Sequence, residues 1–346
     1  MRTSLGLKVL VGLGVTLGAS PAAAGVLAVP DSHPTIQAAV DAAQPGDKIF
    51  VRRGSHCGAV LDKPVHLIGL GYPTIVGCDS GPFLAASVRV GFLLPGANGT
   101  SAASGSTITG FSFDGAGVSN TNLAPLAFGI VGRFANNVGV LHNRFQGTVQ
   151  AITNTAGDRW LISHNRVEDL SVFDCTGSLC TGGDGIVVQV ARGTLAVAGG
   201  AANPVNRPEG NLIVGNRVDA QIPDGFDAFG FVGVLVFAAD GTTLLHNKLS
   251  IPDNPEADAP GQGILITNVC CGDVTPQVPG ARNTLVAFND ASDSEFGVVV
   301  EGTGGQNTLG LVVKHNRGLV VIEGVEQERR TRPHFPRGRF WKDRWF

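Results

Sequence analysis

The sequence predicts an all-β repeat protein, a stack of short-stranded coils with one short helix near its N-terminus. Three observations carry that prediction. One phrase occurs six times, an apolar stretch followed by Asn and then a basic or polar residue: Val140-Leu141-His142-Asn143-Arg144-Phe145 returns around Asn165, Asn216, Asn247, Asn289 and Asn316. Each phrase alternates with a second strand that opens on a small residue, at Gly129-Ile130-Val131, Ala151-Ile152-Thr153, Gly185-Ile186-Val187, Gly233-Val234-Leu235, Gly263-Ile264-Leu265 and Gly297-Val298-Val299. Finally, 49 Gly and 43% hydrophobic residues, with β-branched residues in short runs, favour short strands and tight turns over long helices.

The N-terminus sets the compartment. Arg2 and Lys8 flank the apolar and small residues Val9 to Leu17, and Pro21-Ala22-Ala23-Ala24 supplies a cleavage site, the pattern of a secretory signal over residues 1–24. That run is too short to span a bilayer, and no later stretch is long and apolar enough, so a secreted or periplasmic protein without a transmembrane segment is expected. The six Cys fit an oxidising compartment. Cys57 and Cys78 lie about one repeat apart, so stacked turns bring them together. Cys175 and Cys180 would close a small loop, whereas adjacent Cys270 and Cys271 leave a vicinal disulfide, separate partners and free thiols open.

After the signal, Thr35 precedes Ile36-Gln37-Ala38-Ala39-Val40-Asp41-Ala42-Ala43, with Ile36, Ala39, Val40 and Ala43 on one helical face and Pro45-Gly46 as the stop. Its expected job is to cover the first open edge and apolar end of the strand stack. Strands follow at Lys48–Val51, Val65–Ile68, Thr74–Val76 and Thr107–Phe113, while residues 79–104 read as an irregular insertion. The segment Thr35 to Ala43, then Pro45-Gly46-Asp47 and Ile49-Phe50-Val51, resembles the opening of pectin-lyase-like proteins, and with the six Asn phrases the resemblance covers nearly all of residues 31–322. It implies a right-handed parallel β-helix. That architecture hosts lyases, hydrolases, esterases, epimerases and proteins with no catalysis, so it does not name a reaction.

Stacking converts repeats into rows. Val140, Ile162, Ile213, Leu244, Val286 and Val313 form one interior row, and Phe145, Val167, Val218, Leu249, Ala291 and Gly318 another. The Asn residues read as a structural ladder, because Asn tolerates left-handed backbone angles and its amide bonds to neighbouring turns. His142, His164, His246 and His315, just before the Asn, share inward parity with the apolar row. Because Gly215 and Phe288 hold equivalent places, they read as stacked structural histidines rather than metal ligands. Arg144, Arg166, Arg217 and Lys248 point outward, either neutralised by acidic neighbours or holding an anionic chain such as an acidic polysaccharide.

Three long insertions follow the Asn turn, at Glu168–Asp184, Asp219–Val232 and Ser250–Gln262, and carry clustered carboxylates onto loops of successive coils. In the family that this chain resembles, loops at this place flank the substrate groove. Gly183-Asp184-Gly185-Ile186 resembles the Asp-Gly-Ile core of the polygalacturonase motif, which makes Asp184 the first catalytic candidate, with Asp224 and Asp227 beside it. Two such carboxylates flanking a glycosidic bond act as acid and base. Asp174 and Asp258 are the candidate ligands of a Ca²⁺ ion, which in lyase members bridges acidic sugar to protein. Gln150-Ala151 with Gly157-Asp158-Arg159 resembles a pectin methylesterase segment, but counterparts of both catalytic carboxylates of that family are missing. The outward row Val131, Thr153, Val187, Leu235, Leu265 and Val299 is largely apolar and calls for a cover or an apolar partner.

The segment from Arg329 to Phe346 holds seven basic residues against one acidic and two of the three Trp, a composition suited to folding back on acidic loops or contacting an anionic envelope surface. The assignment is therefore a signal at 1–24, cap helix and first strand at 25–56, a parallel β-helix at 57–322 and a basic aromatic tail at 323–346. The expected function is binding, with or without cleavage by a lyase or hydrolase mechanism, of an extracellular or cell-envelope polysaccharide. The alternative is a non-catalytic scaffold of the periplasm or surface. A nucleic-acid partner is not expected from a chain of formal net charge −3.

Overall fold

The structure is a computed structural model that describes residues 24–84, 88–115, 126–171, 183–191, 207–220, 231–252, 261–268, 280–301 and 309–322, and the backbone of 325–326. Its strands form three sheets, and every pairing is parallel except the last, where Val320–Ile322 meets Val325–Glu326 in antiparallel fashion. Each coil visits the sheets in one order. A three-residue strand such as Gly139–Leu141 lies in sheet I, Arg144–Gln146 follows in sheet II, and the six-residue strand Gln150–Thr155 lies in sheet III before the chain returns to sheet I at Leu161–Ser163. The all-parallel sheets fit the pectin-lyase-like parallel β-helix that the opening segment and the Asn phrases lead one to expect.

A short strand that the sequence reading did not anticipate, Val26–Val29, pairs with Lys48–Arg52 and begins sheet I before the helix. The helix Ile36–Ala42 follows, with the Thr35 hydroxyl accepting from the Ala38 N–H as its N-cap. Ile36, Ala39 and Val40 are fully buried, and Gln37 accepts from the Val60 N–H at 2.8 Å through its side-chain oxygen, which ties the cap to the next coil. Residues 79–104 are not wholly irregular. Val90–Leu94 is a strand of sheet III whose Phe92 and Leu94 are fully buried, with Gly91 in the place that Gly129 takes one coil later. Cys57 and Cys78 form a disulfide with Cα atoms 5.5 Å apart, as their spacing predicts. Cys175, Cys180, Cys270 and Cys271 lie outside the described residues.

The core is the run of expected rows. Val140, Ile162, Ile213, Leu244 and Val286 have no exposed surface, and neither do Val167, Val218, Leu249 and Ala291. Early coils fill the interior with rings: Phe113 stacks on Phe145 at 4.5 Å, and Phe92 meets Phe111 edge-on at 5.2 Å. Small residues open the strands of sheet III because the backbone passes close to these side chains. A Cβ on Gly129 would sit 2.5 Å from both the Phe145 ring and the Ala151 carbonyl.

The Asn ladder is continuous from Asn143 to Asn316. The Oδ1 of Asn165, Asn216, Asn247, Asn289 and Asn316 each accepts the backbone N–H of the preceding ladder Asn at 2.9 to 3.0 Å. Each Nδ2 in turn donates to a sheet I carbonyl one coil back, such as Asn216 to Ile162 at 2.9 Å. Two corrections follow. It is the residue before each Asn, not the Asn, that takes the left-handed conformation: His142, His164, Gly215, His246, Phe288 and His315 all have φ between 53° and 65°. That single reversal breaks the in-and-out alternation, so Asn turns inward and is buried, while His142, His164, His246 and His315 stand outside rather than inside. They do stack: His142 on His164 at 5.1 Å, and His246 on Phe288 at 5.3 Å.

Candidate functional site

The long connections and the short ones are segregated. The turn between sheets I and II is compact in every described coil, through Gly54, Gly71 and Gly110 in the first three and through the ladder Asn from Asn143 onward, whereas segments 172–182, 221–230 and 253–260 lead into sheet III strands and 192–206, 269–279 and 302–308 lead out of them. Sheet III is thus the one face bordered on both sides by long connections, which is where a groove floor belongs.

Register identifies the outward positions on that face. Phe128 and Val131 pack in a cluster separate from the main core, as do Leu235 and Phe237. Phe128 is paired in sequence with Gln150, Asp184, Val232, Gln262 and Phe296, which gives the first outer column. The second runs Val131, Thr153, Val187, Leu235, Leu265 and Val299, and the third Arg133, Thr155, Gln189, Phe237, Thr267 and Glu301.

Asp184, the carboxylate singled out by its Asp-Gly-Ile setting, sits in the first column as the opening residue of the strand Asp184–Gln189, and only 8% of it is exposed. Its Oδ2 accepts from the Gln150 Nε2 at 3.0 Å, and the Gln150 Oε1 accepts from the Thr153 hydroxyl at 2.7 Å. Burial pushes the Asp184 carboxyl up from 3.8 to about 7, and the Gln150 hydrogen bond pulls in the opposite direction without cancelling it. The two column neighbours are Gln150 and Val232, so neither carries a charge. A carboxyl in this setting keeps its proton near neutrality and can donate it. Glu301, in the third column, is likewise raised by burial.

The other candidates fall elsewhere. Arg144, Arg166, Arg217 and Lys248 form one exposed row, but on the outer face of sheet II, so the structure does not bring them together with Asp184. Arg166 pairs with Glu168, Arg217 pairs with Asp219 at 2.9 Å, and the Arg144 guanidinium lies 3.9 Å above the Tyr72 ring. Lys248 and Arg317 flank Asp290, whose carboxyl is lowered. Burial alone would raise it, and the bonds from Ser292 and the two cations outweigh that effect. Asp224, Asp227, Asp174 and Asp258 lie outside the described residues. Among the described residues no group of three or more His, Cys, Asp or Glu side chains is arranged to hold a metal ion. Asp158 and Arg159, of the esterase-like segment, serve the turn back into sheet I, where Asp158 accepts from the Glu209 N–H and Arg159 donates to Asn137.

Sequence reasoning names Gln150 in the esterase-like segment and Thr153 in the outward row, but does not join either to Asp184. The signal was present: aligning the strands on their small residue places Gln150 and Asp184 in one column, although 34 residues separate them.

No protein-family model matches the chain, and no curated protein sequence matches it. Among solved structures it is similar to an alginate lyase from Paenibacillus sp. str. FPU-7, with 13% identity, 84% of this chain and 96% of that one covered and a TM-score of 0.49. It is also similar to the catalytic domain of a GH87 α-1,3-glucanase in complex with nigerose, with 14% identity, 88% and 59% covered and a TM-score of 0.42. A third is PfbA, a surface protein and adhesin of Streptococcus pneumoniae, with 11% identity, 80% and 77% covered and a TM-score of 0.44.

Proposed function

We propose that the outer face of sheet III binds an extracellular or cell-envelope polysaccharide and that Asp184 is the acid of a glycosidic cleavage there. The observation that supports this most is a carboxyl raised to about 7 on a strand face bordered by long connections. In this reading protonated Asp184 gives its proton to the glycosidic oxygen as the bond to the sugar carbon breaks. Gln150 and Thr153 hold the carboxyl in place. Asp224 or Asp227, on the connection between Arg217–Asp219 and the strand Val232–Phe237, supplies the second carboxylate, acting on water or on the sugar carbon. Asp174 and Asp258 have the all-oxygen donor chemistry that suits a hard cation, and Ca²⁺ held by them would bridge substrate to protein. Export through residues 1–24 agrees with the Cys57–Cys78 disulfide, and among the described residues no helix is long and apolar enough to cross a membrane.

The test is digestion of a polysaccharide panel by the wild-type protein and Asp184→Asn, with Ca²⁺ or with chelator. New reducing ends that are lost in Asp184→Asn are expected. Unsaturated products abolished by chelator would replace hydrolysis with a lyase mechanism. Binding without any product would move the reading to the non-catalytic scaffold, consistent with the apolar middle column of the same face.

A further inference from the structure

We infer that the outer face of sheet I is the contact surface between two copies of this chain. The inference does not rest on the reading of sheet III, which is a different face of the coil. Exposed apolar side chains are not scattered over the described residues. Of the large hydrophobic residues that are exposed there, Val26, Leu70, Leu161 and Val312 stand on sheet I strands, and Tyr72 and Phe288 in its turns toward sheet II. Leu309 lies in the approach to the last sheet I strand, and Phe83 alone lies elsewhere. Such a concentration on one face marks an interaction surface, unlike the ordinary scatter of single apolar residues.

The register shows how the face is made. Val140, Ile162, Ile213, Leu244 and Val286 point into the core, so the residues on either side of each point outward. One outer column runs through Leu161, Leu212, Thr243 and Leu285 to Val312, and the next carries Ile68, Leu141, Val214 and Leu245. Leu161 and Val312 are exposed and the others half-buried, while the small Ser163 and Ala287 of the second column are buried. From His66–Leu70 through Leu285–Ala287 the outer positions carry no formal charge. The charged ones are Lys48 and Arg52 near one end and Lys314 at the other. Sheet II differs, since its outer face is occupied by the pairs Arg166–Glu168, Arg217–Asp219 and Arg317–Asp290.

That pattern selects the partner. A charge-free strip offers nothing to neutralise an ionic polymer, and the chain's own basic segment from Arg329 onward finds no acidic side chain in these columns. Aliphatic sheet faces pack on one another at about 10 Å with their side chains interleaved. The same patch on a second copy supplies that complement, as a two-fold contact requires. Ten strands spaced at about 4.8 Å make a face about 43 Å long, and a width of roughly 15 Å gives about 650 Å² per copy. Two copies then bury about 1,300 Å², inside the range of roughly 1,200–2,000 Å² for stable contacts, with Lys48, Arg52 and Lys314 at the rim of an apolar centre.

The experiment is sedimentation equilibrium of the full protein over a concentration series, with lysine cross-linking and mass spectrometry of the same samples. Leu161→Lys and Leu212→Lys put a charge on the face, where a long stem lets the ammonium reach water without disturbing the fold. Gln146→Lys puts the same charge on the exposed face of sheet II as the control, and thermal unfolding checks that all three variants are folded. Within one chain Lys48 and Lys314 lie eight strand steps, about 38 Å, apart, beyond a short cross-linker, so a Lys48–Lys314 link joins two copies. A link of either lysine to its own counterpart does the same. The expected result is a dimer in wild type and Gln146→Lys, one of these links, and a dissociation constant raised at least several-fold in Leu161→Lys and Leu212→Lys. A wild-type protein that stays monomeric throughout would overturn the inference. A monomer that links Lys342 to Lys314 would give the face to the chain's own C-terminal segment, and one that sediments with phosphatidylcholine vesicles, except as Leu212→Lys, would give it to a lipid surface. A dimer that neither sheet I substitution weakens would overturn the placement on sheet I.

Discussion

Replacing Asp184 by Asn separates the proton from the shape of the side chain. In the native protein the carboxyl titrates at about 7, against an ordinary value of 3.8 for the unfolded chain. Between those two values the folded state holds a proton that the unfolded state has lost, so stability falls as pH rises through this window. Below 3.8 both states are protonated and above about 7 both are ionised, so the dependence flattens at either end. At about 1.4 kcal/mol per pH unit, the roughly three-unit window corresponds to a loss of about 4 kcal/mol. The amide of the variant cannot ionise and escapes that loss. Denaturant unfolding of both proteins at about pH 4 and about pH 8 should show Asp184→Asn gaining on wild type by about 4 kcal/mol across the interval. Glu301, also raised by burial, is common to both proteins and cancels in the difference. A difference that stays flat with pH, or runs the other way, would refute the claim that Asp184 is held protonated in the fold.

Two further predictions concern the scaffold. Asn216→Ala removes the acceptor of the Asn165 N–H and the donor to the Ile162 carbonyl, both buried, and should cost about 3 kcal/mol by thermal or denaturant unfolding. A loss near zero would mean that water replaces the ladder amide. Cys57→Ser with Cys78→Ser opens a loop closed over a separation of 21 residues and should lower stability by about 3 kcal/mol, seen also as an equal effect of reductant on wild type alone.

The repeat makes the fold legible because stacking imposes the same demand on each coil: an apolar residue in, a compact turn, an amide to bond the next turn. That is why Val140, Asn143 and Phe145 can be read with their counterparts as rows from spacing alone. The exposed side of His142 and its equivalents is not legible in this way, since strict alternation fails at a turn where one left-handed residue, at φ 53°, reverses the sense. The strand Val90–Leu94 is hidden for another reason. Its small-residue start stands alone in a stretch rich in Ser, Gly and Pro, with no neighbouring phrase to align it. Asp184 is legible as a candidate, but its perturbed acidity is not, because burial arises from neighbours that the linear order keeps apart.

The intervals between successive ladder Asn are 22, 51, 31, 42 and 27 residues, yet the amide geometry hardly changes from one to the next. One edge of the molecule therefore works as a spine that is indifferent to how much chain each vertebra carries. Lengthening or trimming a connection that leads into or out of sheet III leaves the spine's bonds intact, so a lineage with this architecture can remodel those connections, coil by coil, without renegotiating the fold. Selection for a new ligand and selection for a stable body act on opposite edges of the same coil.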